Sequence, residues 1–528
     1  MLRAVAAARE LADSAEESLR PLSRARNESW WEANVDATEE NARRRAEAEL
    51  AYTAALADAE LFAALEGTRD SDGDPLVRRR LDLLRDAMLP HQVAPALREH
   101  IVELEASVEM RFSAHRGVVR GEEVDDNTIT RILRTSDDPA ERREAWEASK
   151  TVGAAVADDV RELARLRNEA ARSLGYRDWF ALSLATDEMD EERLASTLAA
   201  ADRATAVPFA RWKGTLDERL AARFRCAVAD LRPWHYADPF FQQLPPDGGV
   251  DLDPLFEGTD IVELARRTFD ELELDVSGIL GRSDLYPRPA KCQHAFCIDV
   301  DRAGDVRVLA NVVPNARWAE TMLHELGHGV YDLAFDDELP WTFRGTHLVT
   351  TEATAILFGG LASRREWLER VLGIPAREAE SFESELRRSR AAELLVFTRW
   401  VLVMNGFERA LYADPDGDLD TAWWDLVSTY QLVTAPEGRR APDWAAKIHV
   451  AVAPVYYHTY LYGAIVASQL SDALAREAGG LVDRPAAGRL LREKLFAPGQ
   501  SVRWDQLVER ASGMPLTVAS LERDVAPV

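Results

Sequence analysis

Cysteine is scarce: Cys226, Cys292 and Cys297 are the only three in 528 residues. So sparse and odd a set argues against a disulfide framework and for a reducing compartment, and a cytoplasmic location is expected. Cys292 and Cys297 are near neighbours, yet no second Cys/His pair follows at zinc-finger spacing, which argues against a structural zinc site. Basic residues are in deficit too. Lys and Arg number 64 against 91 Asp and Glu, a formal net charge of −27. A surface of that sign repels nucleic acid and anionic membranes, so neither is an expected partner. Residues 1–22 carry acidic side chains where a secretory leader needs an apolar core. One stretch, residues 448–471, runs without Asp, Glu, Lys or Arg for long enough to span a bilayer, but it holds His449, Pro454, His458 and four tyrosines. Those polar groups suit a buried helix beside a site better than lipid.

Strand signals, internal repeats and low-complexity linkers are equally wanting. The best strand pattern is 293–301 followed by 305–312, with Arg302, Ala303 and Gly304 as the turn of a short hairpin. What fills the chain is helix. Residues 37–64, 138–174 and 377–411 repeat apolar side chains at three- and four-residue spacing among charges. Asp36, with Glu39 three positions on, predicts a helix start. Turn signals stand at Arg232-Pro233, at residues 245–249 and at residues 414–417. The expectation is one mostly helical unit over residues 1–528 with a cleft and a small hairpin.

The chemistry-bearing pattern is His324-Glu325-x-x-His328. Four residues apart on a helix, the two imidazoles share a face and can reach one ion, and Glu325 leans toward the same face. The same five residues would also suit an amphipathic helix with two surface histidines, so a third ligand is needed. Glu352 follows His328 by 24 residues, a lone carboxylate in an apolar helical stretch. A metal partner accounts for such a group, as would a salt bridge in the core. Two His and one Glu suit Zn2+, one per chain, with an open position for water. Glu325 is then the general base. Gly327 sits inside this helix at a propensity cost of about 1 kcal/mol against Ala, as close approach of another backbone or of substrate would require.

Further segments carry a resemblance. Asn34 to Arg44, with Thr38, Glu40, Asn41, Ala42, Arg43 and Arg44, is similar to a helix entry of the angiotensin-converting-enzyme family of zinc dipeptidyl carboxypeptidases. His294-Ala295, 30 residues before His324, resembles that family's His-Ala segment. Trp423-Trp424, Tyr430-Gln431, Lys447-Ile448-His449 and Tyr457-x-x-Tyr460 resemble its later motifs in the same order. The likeness runs from about Trp30 to about Leu507; thimet-type oligopeptidases are more distantly similar. The resemblance implies an all-α, zincin-like fold with a deep central cleft between two helical halves. It implies His324, His328 and Glu352 as zinc ligands and Glu325 as base and then acid. It also implies that His294 and the Ala295 backbone grip a peptide substrate, and that His449 and Tyr460 polarise the scissile carbonyl. Lys447, Tyr457 and a glutamine, Gln242 or else Gln243, would hold the substrate's C-terminal carboxylate.

The chain departs from the animal enzymes at positions that matter. Val427 and Thr459 stand where those enzymes carry chloride-binding arginines, so no chloride activation is expected. Ile356 stands where an Asp orients a zinc histidine, and one residue is inserted between His449 and Tyr457. The expected activity is peptide hydrolysis near a free C-terminus with release of dipeptides. The alternatives are an endo-acting oligopeptidase, a peptidase dedicated to one biosynthetic peptide, and a zinc-bearing binding protein without turnover.

Overall fold

The computed structural model describes residues 2–69, 74–245 and 250–527. Of the turn expected at 245–249, residues 246–249 lie outside the described residues. The chain is helical nearly throughout, with two small antiparallel two-stranded sheets.

Much of the acidic excess works at helix starts. Asp125, Asp138, Asp178, Asp190, Asp260 and Asp418 each accept a first-turn backbone N–H at 2.7–3.1 Å. A carboxylate there satisfies an orphan donor and faces the positive end of the helix. The expected helix start at Asp36 is corrected: the cap is Thr38, whose side chain accepts from the Asn41 N–H at 3.2 Å. The preceding helix, Leu2–Val35, runs almost to Asp36, which is left in the connecting turn. Residues 37–64 form two helices, Glu39–Leu56 and the start of Ala59–Arg69. Asp58 divides them by accepting the N–H groups of Glu60 and Leu61.

The chain divides into two compact units, each built from separated segments. The first comprises Met1–Gln92, Val250–Ser384 and Tyr462–Ser520. One of its cores gathers Ala8, Leu19, Leu56, Leu81, Met88 and Trp341. It also holds the expected hairpin, shorter than the sequence pattern and preceded in the chain by another pair of strands. That earlier pair, β1 (Gly117–Val119) and β2 (Glu122–Val124), belongs to the second unit. The expected hairpin is β3 (Phe296–Asp299) and β4 (Val306–Leu309), registered Phe296 to Leu309 and Asp299 to Val306.

The second unit comprises Val93–Gly249, Glu385–Leu461 and Leu521–Val528. Its β1–β2 hairpin turns through Arg120 and Gly121, both at positive φ, and three-residue strands are too short to signal by alternation. They cover a core of Ile129, Leu133, Ala145 and Trp146. Within 448–471 the helix is broken: His449–Val452 ends, and a longer helix begins at Tyr457. No helix among the described residues is long and apolar enough to cross a membrane.

Candidate active site

His324, Glu325 and His328 lie on the helix Ala316–Leu333, which Asn315 caps. Glu352 lies on the helix Leu348–Gly359. The two helices meet through glycines. A Cβ on Gly327 would stand 3.0 Å from the Ala355 Cα and 3.3 Å from the Thr354 carbonyl, and one on Gly359 would stand 3.2 Å from the His324 Cβ. Of the two explanations for Gly327, backbone approach is the one realised.

The crossing brings one ligand atom from each of His324, His328 and Glu352 within 4.8 Å of one another. The imidazoles stand edge to face, with centroids 5.0 Å apart. Burial pushes His324 down to about 4, and burial together with His324 pushes His328 down to about 3. Both are therefore neutral bases with a lone pair to give. Burial pushes Glu352 up to about 7. Burial, then the neighbouring Glu352 charge, pushes Glu325 up to about 8, against an opposing hydrogen bond from the Cys297 N–H of β3. Two neutral imidazoles converging with a half-buried carboxylate that no basic side chain among the described residues neutralises are a donor set that a divalent cation fits.

Ile356, which stands where a carboxylate would orient a zinc histidine, packs beside Gly463. That carboxylate's place is taken by a residue that sequence reasoning did not weigh: the Thr351 hydroxyl lies 2.6 Å from His328 Nδ1. That contact leaves Nε2 for a metal. The available signal was the Thr350-Thr351 pair directly before Glu352. Cys297, read only as a thiol, contributes its backbone instead. His294 is exposed and Ala295 half-buried, both on the segment entering β3. Among the described residues β3 pairs with β4; away from β4, the Cys297 N–H meets Glu325 and the Asp299 carbonyl accepts from Asn27 at 3.2 Å, which leaves the backbone at Ala295, just before the strand, as the place for an extended chain to add.

The second unit gathers the remaining candidates. Lys447 Nζ donates to Gln242 Oε1 at 2.9 Å, while Gln243 is exposed. The same ammonium lies 5.5 Å from the ring centres of Phe240 and Trp400 and 5.7 Å from that of Tyr457. Burial pulls Lys447 down to about 8, against the opposing charge of Asp238. Asp238, also missed in the sequence, holds the glutamine's loop by accepting the N–H groups of Phe240, Gln242 and Gln243 at 2.9–3.2 Å. The Tyr457 ring lies 5.2 Å from His449 and 5.8 Å from Tyr460. Burial, then the Lys447 charge, pushes His449 down to about 4, and its buried Nδ1 has no hydrogen-bond partner among the described residues. Thr459 is buried, and Val427 lines a small cavity with Trp146, Lys150, Phe240 and Trp424.

The family model for angiotensin-converting enzyme matches residues 3–200 and 285–521. Every candidate above falls inside those stretches except Gln242 and its alternative Gln243, which lie in the unmatched segment with Asp238 and Phe240. An angiotensin-converting enzyme of Theromyzon tessulatum is 24% identical over 234 residues, covering 42% of this chain and 38% of that protein. The chain thus matches well under half of that relative's length.

Elemental analysis tests the triad and its support separately. His328→Ala is expected to lose most bound zinc. Thr351→Val, which keeps every ligand, is expected to bind zinc about 10- to 100-fold more weakly. Stoichiometric zinc in His328→Ala would exclude the triad, and unchanged affinity in Thr351→Val would exclude the hydroxyl's role.

Proposed function

This chain belongs to the angiotensin-converting enzyme family of zinc metallopeptidases, and from that premise we propose that it hydrolyses peptides near a free C-terminus, releasing dipeptides, as a single peptidase domain. The observation that carries this reading is the convergence of His324, His328 and Glu352 within 4.8 Å, with Glu325 next to the first of them. A single zinc held by those three residues would supply an electrophile and lower the pKa of a bound water to about 7.

The protein's own groups do the rest. A Glu325 carboxylate oxygen takes a proton from the attacking water and returns it to the leaving nitrogen, and the hydrogen bond from the Cys297 N–H fixes where that carboxylate points. The backbone at Ala295, just before β3, with His294 beside it, holds the substrate backbone extended. The Tyr460 hydroxyl and His449 donate to the carbonyl oxygen as it gains negative charge. Lys447 offers a charge to the terminal carboxylate, and Gln242 and Tyr457 offer hydrogen bonds.

Glu325→Gln is expected to keep zinc and lose turnover by about a hundredfold or more, since an amide cannot take the proton. Near-normal turnover in the zinc-loaded variant would point to another base; a binding protein without turnover would show no difference between the two.

One peptide, as free acid and as C-terminal amide, tests the direction of cleavage. The amide cannot pair a charge with Lys447 and should be cut much more slowly. Lys447→Ala should remove most of that preference, with the loss in kcat/KM. Equal rates on both forms, with cuts at internal bonds, would favour the endo-acting oligopeptidase.

Activity is expected to change little when chloride is replaced by acetate at constant ionic strength. The cavity beside Val427 is lined by a cation, Lys150. Burial pulls Lys150 down to about 7, and Asp443 is the largest favourable charge near it. A lysine so poised can shed its charge and needs no added anion. Saturable several-fold activation by chloride would assign an anion to this cavity.

A further inference from the structure

The segment between His449 and Tyr457 is not one continuous helix. The short helix His449–Val452 stops, and the chain turns through Ala453, Pro454, Val455 and Tyr456 before the next helix begins at Tyr457. Val455 stands at φ +59°. A β-branched residue in the left-handed region is an outlier that persists only where its surroundings enforce it.

Two buried side chains grip this turn. The Val455 N–H donates to Glu408 Oε1 at 2.7 Å, and Glu408 is 1% exposed on the helix Ala376–Ala413. At the other end, the Ala451 carbonyl accepts from Arg167 at 2.5 Å. Arg167 is itself anchored by the Tyr412 hydroxyl at 3.3 Å and by Glu105 at 3.4 Å. Tyr412 stands one helical turn beyond Glu408, so the two grips share a support. The grip on Val455 is two residues from Tyr457 and five from Tyr460.

We propose that Glu408 is a positioning residue for peptide hydrolysis: by accepting the Val455 N–H it enforces the left-handed turn between the two helices and so aims Tyr457 and Tyr460. The inference rests on the roles given above to those tyrosines. Burial pushes the Glu408 carboxyl up to about 8, so what Val455 receives is an acceptor at the right reach and not a fixed negative charge. Glutamine preserves that reach. Aspartate preserves the charge but is one methylene shorter.

The test compares Glu408→Gln with Glu408→Asp, measuring kcat, KM, bound zinc and thermal stability, with Tyr457→Phe and Tyr460→Phe assayed in parallel. Glu408→Gln is expected to stay within about threefold of wild type, and Glu408→Asp to lose on the order of tenfold or more in kcat/KM, the scale on which small misplacements cost rate. Both should bind zinc as wild type does. Adding Val455→Gly to Glu408→Asp should recover part of the loss, because glycine enters the left-handed region without strain. Recovery by glycine is not expected if Glu408 merely stabilises the fold. The proposal is overturned if Glu408→Asp matches wild type, if Glu408→Gln loses as much as Glu408→Asp, or if Glu408→Asp lowers thermal stability with kcat and KM unchanged. Should both tyrosine variants keep full activity, the underlying reading of the site fails and the proposal with it. Should they lose activity while Glu408→Asp does not, only the proposal fails.

Discussion

The metal-binding geometry depends on two helices approaching closer than side chains normally permit. Gly327 lies against the backbone of Ala355, and Gly359 against His324. The back of the glutamate's helix is pressed by a third glycine, Gly463, whose added Cβ would stand 3.0 Å from the Glu352 Cβ. Each of these glycines costs about 1 kcal/mol of helix propensity against alanine. The expenditure makes sense only as geometry. Imidazoles and a carboxylate on separate helices can converge on one ion when their backbones are held close, and an added methyl group at any of the three contacts would stand 3.0–3.2 Å from its neighbour and press on this spacing.

That closeness creates an electrostatic problem in the unligated protein. Glu325 is buried and Glu352 half-buried close by, with their carboxyls pushed up to about 8 and about 7. The adjacent histidines, pushed down, cannot serve as cations to neutralise them. The structural arrangement is therefore unfavourable to itself and favourable to a dication, which relieves the crowded carboxylates and uses the lone pairs that burial has kept free. Burial here does the same work on acids and bases: it disfavours charge on all four groups, and one metal ion compensates them together.

How much of this could be read from the chain divides by range. The His324, Glu325 and His328 set is visible because helical periodicity alone puts them on one face, and Glu352 because a lone carboxylate stands out in an apolar helix. The long helices at 138–174 and 377–411 emerge as Pro139–Ser173 and Ala376–Ala413, since apolar periodicity over ten turns admits few other readings. The contacts that refine the site were not legible. Thr351 looks like any helix-start threonine until His328 is seen against it, and Asp238 looks like a surface acid until three backbone N–H groups are found pointing at it. The Cys297 contribution comes from a backbone atom, which no residue type can advertise. The first hairpin escaped because its strands are three residues long, and the cap fell at Thr38 instead of Asp36 because the preceding helix extends to Val35.

Three lysines shielded from solvent, Lys213 and Lys291 buried and Lys447 half-buried, differ in how fully their hydrogen bonds are met. Lys213 is saturated, donating to both Asp217 oxygens, the Tyr236 hydroxyl and the Leu432 carbonyl. Lys291 is likewise engaged by Asp284 and by the carbonyls of Tyr286 and Ala310. An ammonium with its hydrogen bonds complete is part of the scaffold. Lys447 has one such partner, Gln242, and otherwise faces the rings of Phe240, Trp400 and Tyr457. Aromatic faces stabilise a cation without using up its directed N–H bonds, so Lys447 stays charged enough to attract a carboxylate and open enough to bind one. The orphaned Nδ1 of His449 stands beside the same tyrosine ring. Unspent hydrogen-bonding capacity is costly to bury, and its presence beside Tyr457 supports the substrate-recognition role proposed there over one for the saturated lysines.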